Sequence, residues 1–377
     1  DALGRPTVER VTDGTASSTT TFNSVGRTTT VTDPAGKARA LISDAVGPLV
    51  QVRENPLGLN YLTSYTYDGA GRLTGVSQSG QTRSFSYDTA GRLVAATNPE
   101  SGTINYRYDD AGNLVQRTDA RGVTTCSGSQ SGTSCTDPLA AYDGLNRPVK
   151  KTYSDGTPAV TYNYDDAPTN GRGRLRSVSV AGGTSVSYSY DVMGRVTASS
   201  QTTDGITYPF SYAYNLAGGV ETTTLPSGRS LKQCYDVAGR PKSVTGTKSG
   251  EAAHNYISQV TYDEGGGMNQ AQLGNGKWED WDYNYRKQVI GIKLGATAGA
   301  TDLLQLTYGY GTAANNGNVL SQTITRQPFS VTQTYGYADP LNRLSSVTEG
   351  TESRTFDYSP TGNMWVATAS TNFAAGS

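Results

Sequence analysis

The amino-acid sequence predicts an all-β protein made of short antiparallel strands joined by tight turns. Three observations predict this fold: aromatic residues paired two positions apart, an Asp-x-x-Gly turn directly after each pair, and a repeat period of about 20 residues. The three clearest copies begin at Tyr65, Phe85 and Tyr106. A fixed period of this length indicates a repeat architecture.

The aromatic pairs predict strands because residues two apart share one face of a strand and no face of a helix. In Tyr65-Thr66-Tyr67 the intervening Thr66 therefore points to the opposite face, and Tyr and Thr both favour strands. The clearest tyrosines at these positions are Tyr65, Tyr67, Tyr87, Tyr106, Tyr108, Tyr188 and Tyr190.

The Asp-x-x-Gly segment that follows predicts a turn that closes a hairpin and bulges the sheet locally. Asp accepts hydrogen bonds from the backbone two residues on, and Gly adopts positive φ without steric cost. Two copies carry Asn146 or Asn342 instead of Gly, which fits a backbone-angle requirement rather than a catalytic or ligand role. Lys287 at this position departs from the pattern. The predicted turn residues are Gly71, Gly91, Gly112, Asn146, Gly194 and Gly239.

The repeats predict one continuous array over residues 1–377, with no domain boundary. Residues 1–60 hold degenerate copies, 61–245 regular copies and 246–370 looser copies. The array begins inside a turn and ends soon after a copy, so the chain is expected to be a fragment of a longer polypeptide.

The composition argues against several classes of function. A net charge of −1 argues against a nucleic-acid partner, because a basic face supplies most of that affinity. No stretch approaches the roughly 18 consecutive apolar residues of a transmembrane segment. Most of the 25 Tyr fall at the two aromatic positions of the repeat, so the aromatic content belongs to the repeat rather than to a site, and no cofactor is predicted.

Cys126 and Cys135 bracket a polar loop inserted between two repeats. A disulfide would stabilise so short a loop by about 2–3 kcal/mol in the chain-entropy model and would imply an oxidising compartment. The alternative is a metal-binding pair, although no His or further Cys lies nearby in sequence.

Three features resemble catalytic or ligand-binding sites, and each has a simpler explanation. His254 is the single His and has no nucleophile elbow beside it. Residues 278–283 could form a sugar platform, but Trp281 and Tyr283 take the ordinary aromatic positions. Residues 265–267 lack the Lys-Ser/Thr and the helix of a phosphate loop. No catalytic, cofactor-binding or metal-binding residue is predicted, and the chain is not expected to be an enzyme.

About 30 strands spaced roughly 4.8 Å apart would make a sheet on the order of 150 Å wide. Open twisted sheets rarely exceed about 10 strands without curling. The ribbon is therefore expected to spiral around a cavity. A propeller is the alternative, but it needs a period of about 40 residues, which the sequence does not show.

The recurring Tyr-x-Tyr-Asp-x-x-Gly-Arg-Leu resembles the YD repeat of RHS-repeat proteins, insecticidal toxin-complex C components and teneurins. The resemblance implies a β-sheet shell, or cocoon, around an interior space. It implies a structural wall enclosing a polypeptide cargo, a C-terminal toxin or effector domain of the same polypeptide, in a secreted or cell-surface bacterial protein.

The alternative that the resemblance leaves open is an extracellular adhesion or carbohydrate-binding module, with glycans or receptors as partners. The self-cleaving aspartic segment that ends bacterial shells is not recognisable, and neither are their propeller and plug domains.

Overall fold

The computed structural model describes residues 1–13, 16–137, 141–166, 170–312 and 314–369, and the regular elements in these residues are all β-strands. The predicted all-β fold is confirmed. Within the described residues 31 strands belong to one sheet and two form a small separate sheet. Residue 370, the last of the predicted looser copies, lies outside this part of the chain.

The first strands in chain order are β1 Val8–Asp13, β2 Ala16–Val25, β3 Thr28–Thr32, β4 Ala38–Ser43, β5 Leu49–Glu54, β6 Tyr61–Tyr67, β7 Leu73–Gln78, β8 Gln81–Tyr87, β9 Leu93–Asn98, β10 Gly102–Tyr108 and β11 Leu114–Thr118. The next are β12 Thr124–Ser127, β13 Ser129–Ser131, β14 Ser134–Asp137, β15 Lys150–Tyr153, β16 Val160–Tyr164, β17 Leu175–Val180, β18 Thr184–Tyr190, β19 Val196–Thr203, β20 Ile206–Tyr214, β21 Val220–Thr224, β22 Ser230–Tyr235 and β23 Pro241–Thr247. The last are β24 His254–Tyr262, β25 Met268–Leu273, β26 Trp278–Tyr283, β27 Val289–Gly295, β28 Leu304–Gly309, β29 Ser321–Arg326, β30 Phe329–Gly336, β31 Ser346–Glu349, β32 Glu352–Tyr358 and β33 Met364–Ala369.

The chain divides into two units. Unit 1 comprises Asp1–Thr82 and Ile257–Ser377, and unit 2 comprises Arg83–Tyr256. In unit 1, β1 to β7 pair antiparallel in chain order, as do β24 to β33. The single array over 1–377 stays a prediction.

In unit 2 the strands also pair antiparallel in chain order, with one interruption. β12 pairs directly with β15, and the β13–β14 hairpin between them forms the small separate sheet. The β13–β14 hairpin, which carries Cys135, is therefore an insertion beside the ladder, whereas Cys126 lies in β12 within the ladder.

A β-bulge precedes the second tyrosine of the regular repeats. The register shifts between Thr66 and Tyr67, and again between Arg107 and Tyr108. Such a bulge bends the strand and increases its twist. The bulge and the turn that follows it therefore recur as one unit along the sheet.

Buried apolar residues are few and small in the described part of the chain, with Ala40, Ala96, Val115, Ala141 and Ala271 among them. Most strand residues are only half-buried. Stability must therefore come mainly from backbone pairing and contacts between neighbouring repeats, as in other quasi-one-dimensional repeat proteins.

Candidate functional site

The repeated turn has one geometry, which residues 68–72 illustrate; each such five-residue turn is termed a corner. Gly71 N donates to Asp68 O at 2.9 Å, and Asp68 N donates to Arg72 O at 3.0 Å. Asp68 Oδ1 accepts from the backbone N of Ala70 and Arg72 at 2.9 and 3.0 Å. Asp68 Oδ2 accepts from Arg72 Nε at 2.6 Å. Both carboxylate oxygens of Asp68 therefore accept hydrogen bonds from within the corner.

The fourth residue of a corner lies in the left-handed region, where a Cβ is strained. The φ angles are 78° at Gly71, 83° at Gly91, 88° at Gly112, 58° at Asn146, 85° at Gly194 and 78° at Gly239. No atom lies within 4 Å of the ideal Cβ position of Gly71. Glycine is therefore favoured here by the backbone angle and not by close packing.

Lys287, the departure from the pattern, adopts the same backbone conformation with φ of 61°. Its Nζ lies 2.9 Å from Asp263 Oδ2, the first residue of another corner. A Cβ added at Gly265 would lie 2.1 Å from Lys287 Cε, so the lysine side chain covers that glycine. The side-chain contacts of Lys287 compensate for a backbone that favours Gly or Asn.

The second tyrosine of a repeat links it to the repeat before. Tyr108 Oη donates to the carbonyl of Leu93, the first residue after the preceding corner, at 3.0 Å. Equivalent bonds, between 2.5 and 3.0 Å, are made by Tyr67, Tyr142, Tyr164, Tyr190, Tyr214, Tyr235, Tyr283, Tyr310 and Tyr358. The two tyrosines of a pair therefore differ in role, which the sequence pattern alone did not reveal.

The first tyrosines, Tyr65, Tyr106 and Tyr188, are half-buried strand residues opposite Val76, Arg117 and Ser199. Tyr87 is a half-buried second tyrosine opposite Leu93.

The corner arginine adds a second link, toward the repeat that follows. Arg92 Cζ lies 5.1 Å from the ring centroid of Tyr108, and Arg92 Nη1 donates to Asp109 O at 2.7 Å. Arg147, Arg195 and Arg343 lie over the second tyrosine of the following repeat in the same way, at 4.3, 4.5 and 4.2 Å. Arg174, which closes the longer turn 165–174, lies 5.7 Å from the ring centroid of Tyr190. A cation over an aromatic face contributes about 0.5–1 kcal/mol at exposed sites. The Arg that follows the left-handed Gly or Asn in many of the turns was the available sequence signal.

The electrostatics of the corners stabilise the charged carboxylate. The backbone hydrogen bond from Arg72 lowers the pKa of Asp68, and the side-chain hydrogen bond from Arg147 lowers the pKa of Asp143. Burial instead raises the pKa of Tyr108, because it disfavours the phenolate. A general acid or base needs a pKa near the working pH, and these shifts move both groups away from neutrality.

In unit 2 a disulfide joins Cys126 to Cys135, with Cα atoms 5.4 Å apart. Cys126 is fully buried at the base of the inserted loop. The third cysteine, Cys234, is free and exposed.

The two stretches of unit 1 meet along a seam made by side-chain contacts of residues 18–37 with residues 286–342. Asn316 Nδ2 donates to Asp33 Oδ2 at 3.1 Å and to Asn342 Oδ1 at 3.0 Å. Lys37 Nζ donates to Ala338 O at 3.4 Å. These residues are about 300 positions apart, and no sequence signal predicted their contact.

A second part of the seam is buried. Arg286 Nη1 donates to Ser18 Oγ at 3.2 Å and also to Asn315 O. Asn315 is only 1% exposed and exchanges two amide hydrogen bonds with Gln288, at 2.8 and 3.1 Å. Buried polar groups that satisfy one another fix a unique arrangement.

The side chains that the sequence suggested for chemistry lie on different strands. His254 is exposed at the start of β24, and Trp281 is half-buried in β26 opposite Ile292. Among the described residues no group of three or more His, Cys, Asp or Glu could hold a metal ion. The same part of the chain contains no helix long and apolar enough to cross a bilayer.

The RHS repeat family model matches residues 87–124 and 170–207. No curated protein matches the sequence. The fold is similar to the crystal structure of TcdB2-TccC3-Cdc42, with a TM-score of 0.80 and 16% identity over 97% of this chain and 21% of that chain. The structure of TcdB2-TccC3 without its hypervariable C-terminal region gives a TM-score of 0.79 with the same identity and coverage.

A third match is the Photorhabdus luminescens Tc holotoxin pore, with a TM-score of 0.75 and 16% identity over 92% of this chain and 20% of that chain. At this identity the similarity shows the fold. The chain spans about a fifth of the length of the solved chains it matches.

Proposed function

Since the chain is an RHS/YD-repeat protein, we propose that it forms part of the wall of a shell that encloses a polypeptide cargo. The proposed cargo is a C-terminal toxin or effector domain of the same polypeptide, held until secretion or delivery. The observation that carries the proposal is the seam of unit 1, where residues 283 positions apart join two stretches of the ribbon. A coiled wall requires such contacts between stretches of the ribbon that are distant in sequence.

The corner contacts support a structural role. Among the described residues, ten tyrosine hydroxyls bond to the repeat before and five arginines lie over a tyrosine of the repeat after, so most neighbouring repeats are joined by side chains as well as by backbone pairing. Their carboxylates are held charged by hydrogen bonds, which suits a scaffold and not acid–base catalysis. We therefore propose that the chain is not an enzyme.

The proposed location is outside the cell, either secreted or at the cell surface. The Cys126–Cys135 disulfide supports it, because disulfides persist in oxidising compartments.

The test measures protection of a cargo. A reporter domain joined after Ser377 by a protease-sensitive linker should be cleaved more slowly than the same linker attached to an unrelated β-protein. Asn316→Asp places a carboxylate against Asp33 Oδ2, so repulsion should open the seam and speed cleavage. Asn275→Asp, in the exposed β25–β26 turn, is the matched control and should leave the cleavage rate unchanged.

Equal cleavage rates in the wild type, both variants and the unrelated protein would contradict enclosure. Glycan-array binding by the wild type that is lost in Trp281→Ala would instead favour the adhesion alternative, with glycans or receptors as partners.

A further inference from the structure

One face of unit 1 carries an arginine, Arg53, that forms no ion pair with the described residues. Asn23, Thr30, Ala40 and Arg53 lie directly opposite one another across β2, β3, β4 and β5. Opposed residues of neighbouring strands share one face of a sheet. Arg53 therefore projects from the face that carries Thr30 and Ala40, whereas its neighbour Glu54 projects from the opposite face.

The opposite face provides an internal comparison. There Arg39 and Glu54 form an ion pair, with Arg39 Nε 2.8 Å from Glu54 Oε1. Arg53 has no carboxylate within ion-pair distance in the described part of the chain, and its recorded hydrogen bond, to Gln51 Oε1, is long at 3.4 Å. Arg53 Nε is buried without a hydrogen-bond partner. Within the described residues, therefore, the exposed Arg39 has a counter-charge and the half-buried Arg53 has none.

A cavity of about 640 Å³ lies over this face. The residues that give it polar character are Asn23, Thr28, Thr30, Thr32 and Arg53. No protein partner is recorded in the described ranges for the three threonine hydroxyls. The volume falls within the range of about 300–1,000 Å³ that is usual for ligand sites. A cation and a row of free hydroxyls therefore line the same space.

We propose that this cavity binds the carboxylate of an acidic side chain in an extended polypeptide. A guanidinium matches a carboxylate with two parallel hydrogen bonds, and such charge-assisted bonds are among the strongest in proteins. Because Arg53 Nε is covered, the terminal nitrogens of the guanidinium make these bonds.

The threonine row favours a polypeptide over a free anion. Thr28, Thr30 and Thr32 alternate along β3, so their hydroxyls repeat every two residues, or about 6.6–6.8 Å. An extended peptide repeats its own polar groups at the same interval. The proposal does not depend on the shell function, since it concerns this face alone.

The experiment is an NMR titration of the full chain, followed at the backbone amides of Thr30 and Arg53. The probe is the capped peptide acetyl-Ser-Glu-Gly-Glu-Ser-amide, compared with its glutamine version and with inorganic phosphate. The glutamate peptide should bind and shift these amides, and Arg53→Gln should weaken its binding about tenfold, the loss of one charge-assisted contact. Arg39→Gln, on the opposite face, is the matched control and should leave binding unchanged.

Thr30→Val serves as a second variant that keeps the side-chain shape, and it too should weaken binding of the glutamate peptide. Equal binding of the glutamate and glutamine peptides, or undiminished binding by both folded variants, would overturn the proposal. Absence of amide shifts with the glutamate peptide would also overturn it, and so would a site that responds to phosphate alone.

Discussion

Leu145 and Leu341 occupy the same position in two corners of nearly the same sequence, Asp-Gly-Leu-Asn-Arg and Asp-Pro-Leu-Asn-Arg, yet their environments differ. Both corners have a left-handed Asn, at φ of 58° and 64°, and an Asp–Arg ion pair of 2.6 or 2.7 Å. Leu145 is 69% exposed in unit 2. Leu341 is half-buried at the seam of unit 1, where it lines a cavity together with Val31 and Leu41. The local sequence thus determines the geometry of the corner, whereas contacts with a distant part of the chain determine how far its leucine is buried.

This pair predicts unequal costs for one substitution. Leu341→Ser should lower the free energy of unfolding by about 1–2 kcal/mol, because it removes partly buried apolar surface. Leu145→Ser should change it by less than about 0.5 kcal/mol, as expected for an exposed site. Urea denaturation of the two variants measures the difference. Equal losses would show that Leu341 gains nothing from its place at the seam.

Gly69 and Gly71 separate backbone strain from packing within one corner. Neither has an atom within 4 Å of an added Cβ, but only Gly71 has positive φ. Gly71→Ala should destabilise by about 1–2 kcal/mol, the cost of a Cβ in the left-handed region. Gly69→Ala should be neutral within about 0.5 kcal/mol. Gly71→Asn should cost less than Gly71→Ala, because Asn146 and Asn342 adopt this conformation. Thermal melting of the three variants tests the ranking.

The tyrosine pair of one repeat predicts unequal effects of removing a hydroxyl. Tyr108→Phe removes the 3.0 Å hydrogen bond to Leu93 O and should cost about 0.5–1.5 kcal/mol. Tyr106 makes no hydroxyl hydrogen bond to the described residues, so Tyr106→Phe should cost less than about 0.5 kcal/mol. The reverse order in urea denaturation would contradict the assigned roles.

The corner aspartates predict a loss of stability in acid. Hydrogen bonds from Arg72, its backbone N–H first, lower the pKa of Asp68 in the folded chain. The resulting stabilisation is present above the unfolded pKa of about 3.9 and is lost as the pH falls through the lower folded value. Asp68→Asn should therefore be less stable than the wild type at pH 7, with a gap that closes in acid.

The control for that experiment is Asp110→Asn, an exposed turn residue whose side chain has no recorded hydrogen bond in the described ranges. It should follow the wild-type pH profile. A gap between Asp68→Asn and wild type that stays constant from pH 7 to pH 2 would argue against a charged Asp68 as the source.

The strand and turn pattern was predictable because it depends on neighbours in sequence. The spacing of Tyr65 and Tyr67 predicts a strand, and the residue types at Gly71 and Asn146 predict the turn. Lys287 escaped this reasoning, since its left-handed backbone is compensated by an ion pair with Asp263, 24 residues away.

The seam was not predictable, because nothing local marks Asn316 as the partner of Asp33. Arg53 was equally hidden. Its significance comes from its position on a face where no described carboxylate pairs with it, and that face is defined only once the registers of β2 to β5 are known.

Throughout the described residues the tyrosine-to-carbonyl bond runs backward along the chain, from one repeat to its predecessor. Excising or duplicating a complete repeat would therefore join a hydroxyl to an equivalent acceptor, and no donor at the splice would lose its partner. A cut within a repeat would instead leave one tyrosine hydroxyl without its carbonyl acceptor. Insertion or deletion of whole repeats is therefore compatible with the tyrosine bonds of the ladder. It is limited by the seam of unit 1, where particular residues such as Asp33 and Asn316 must still meet.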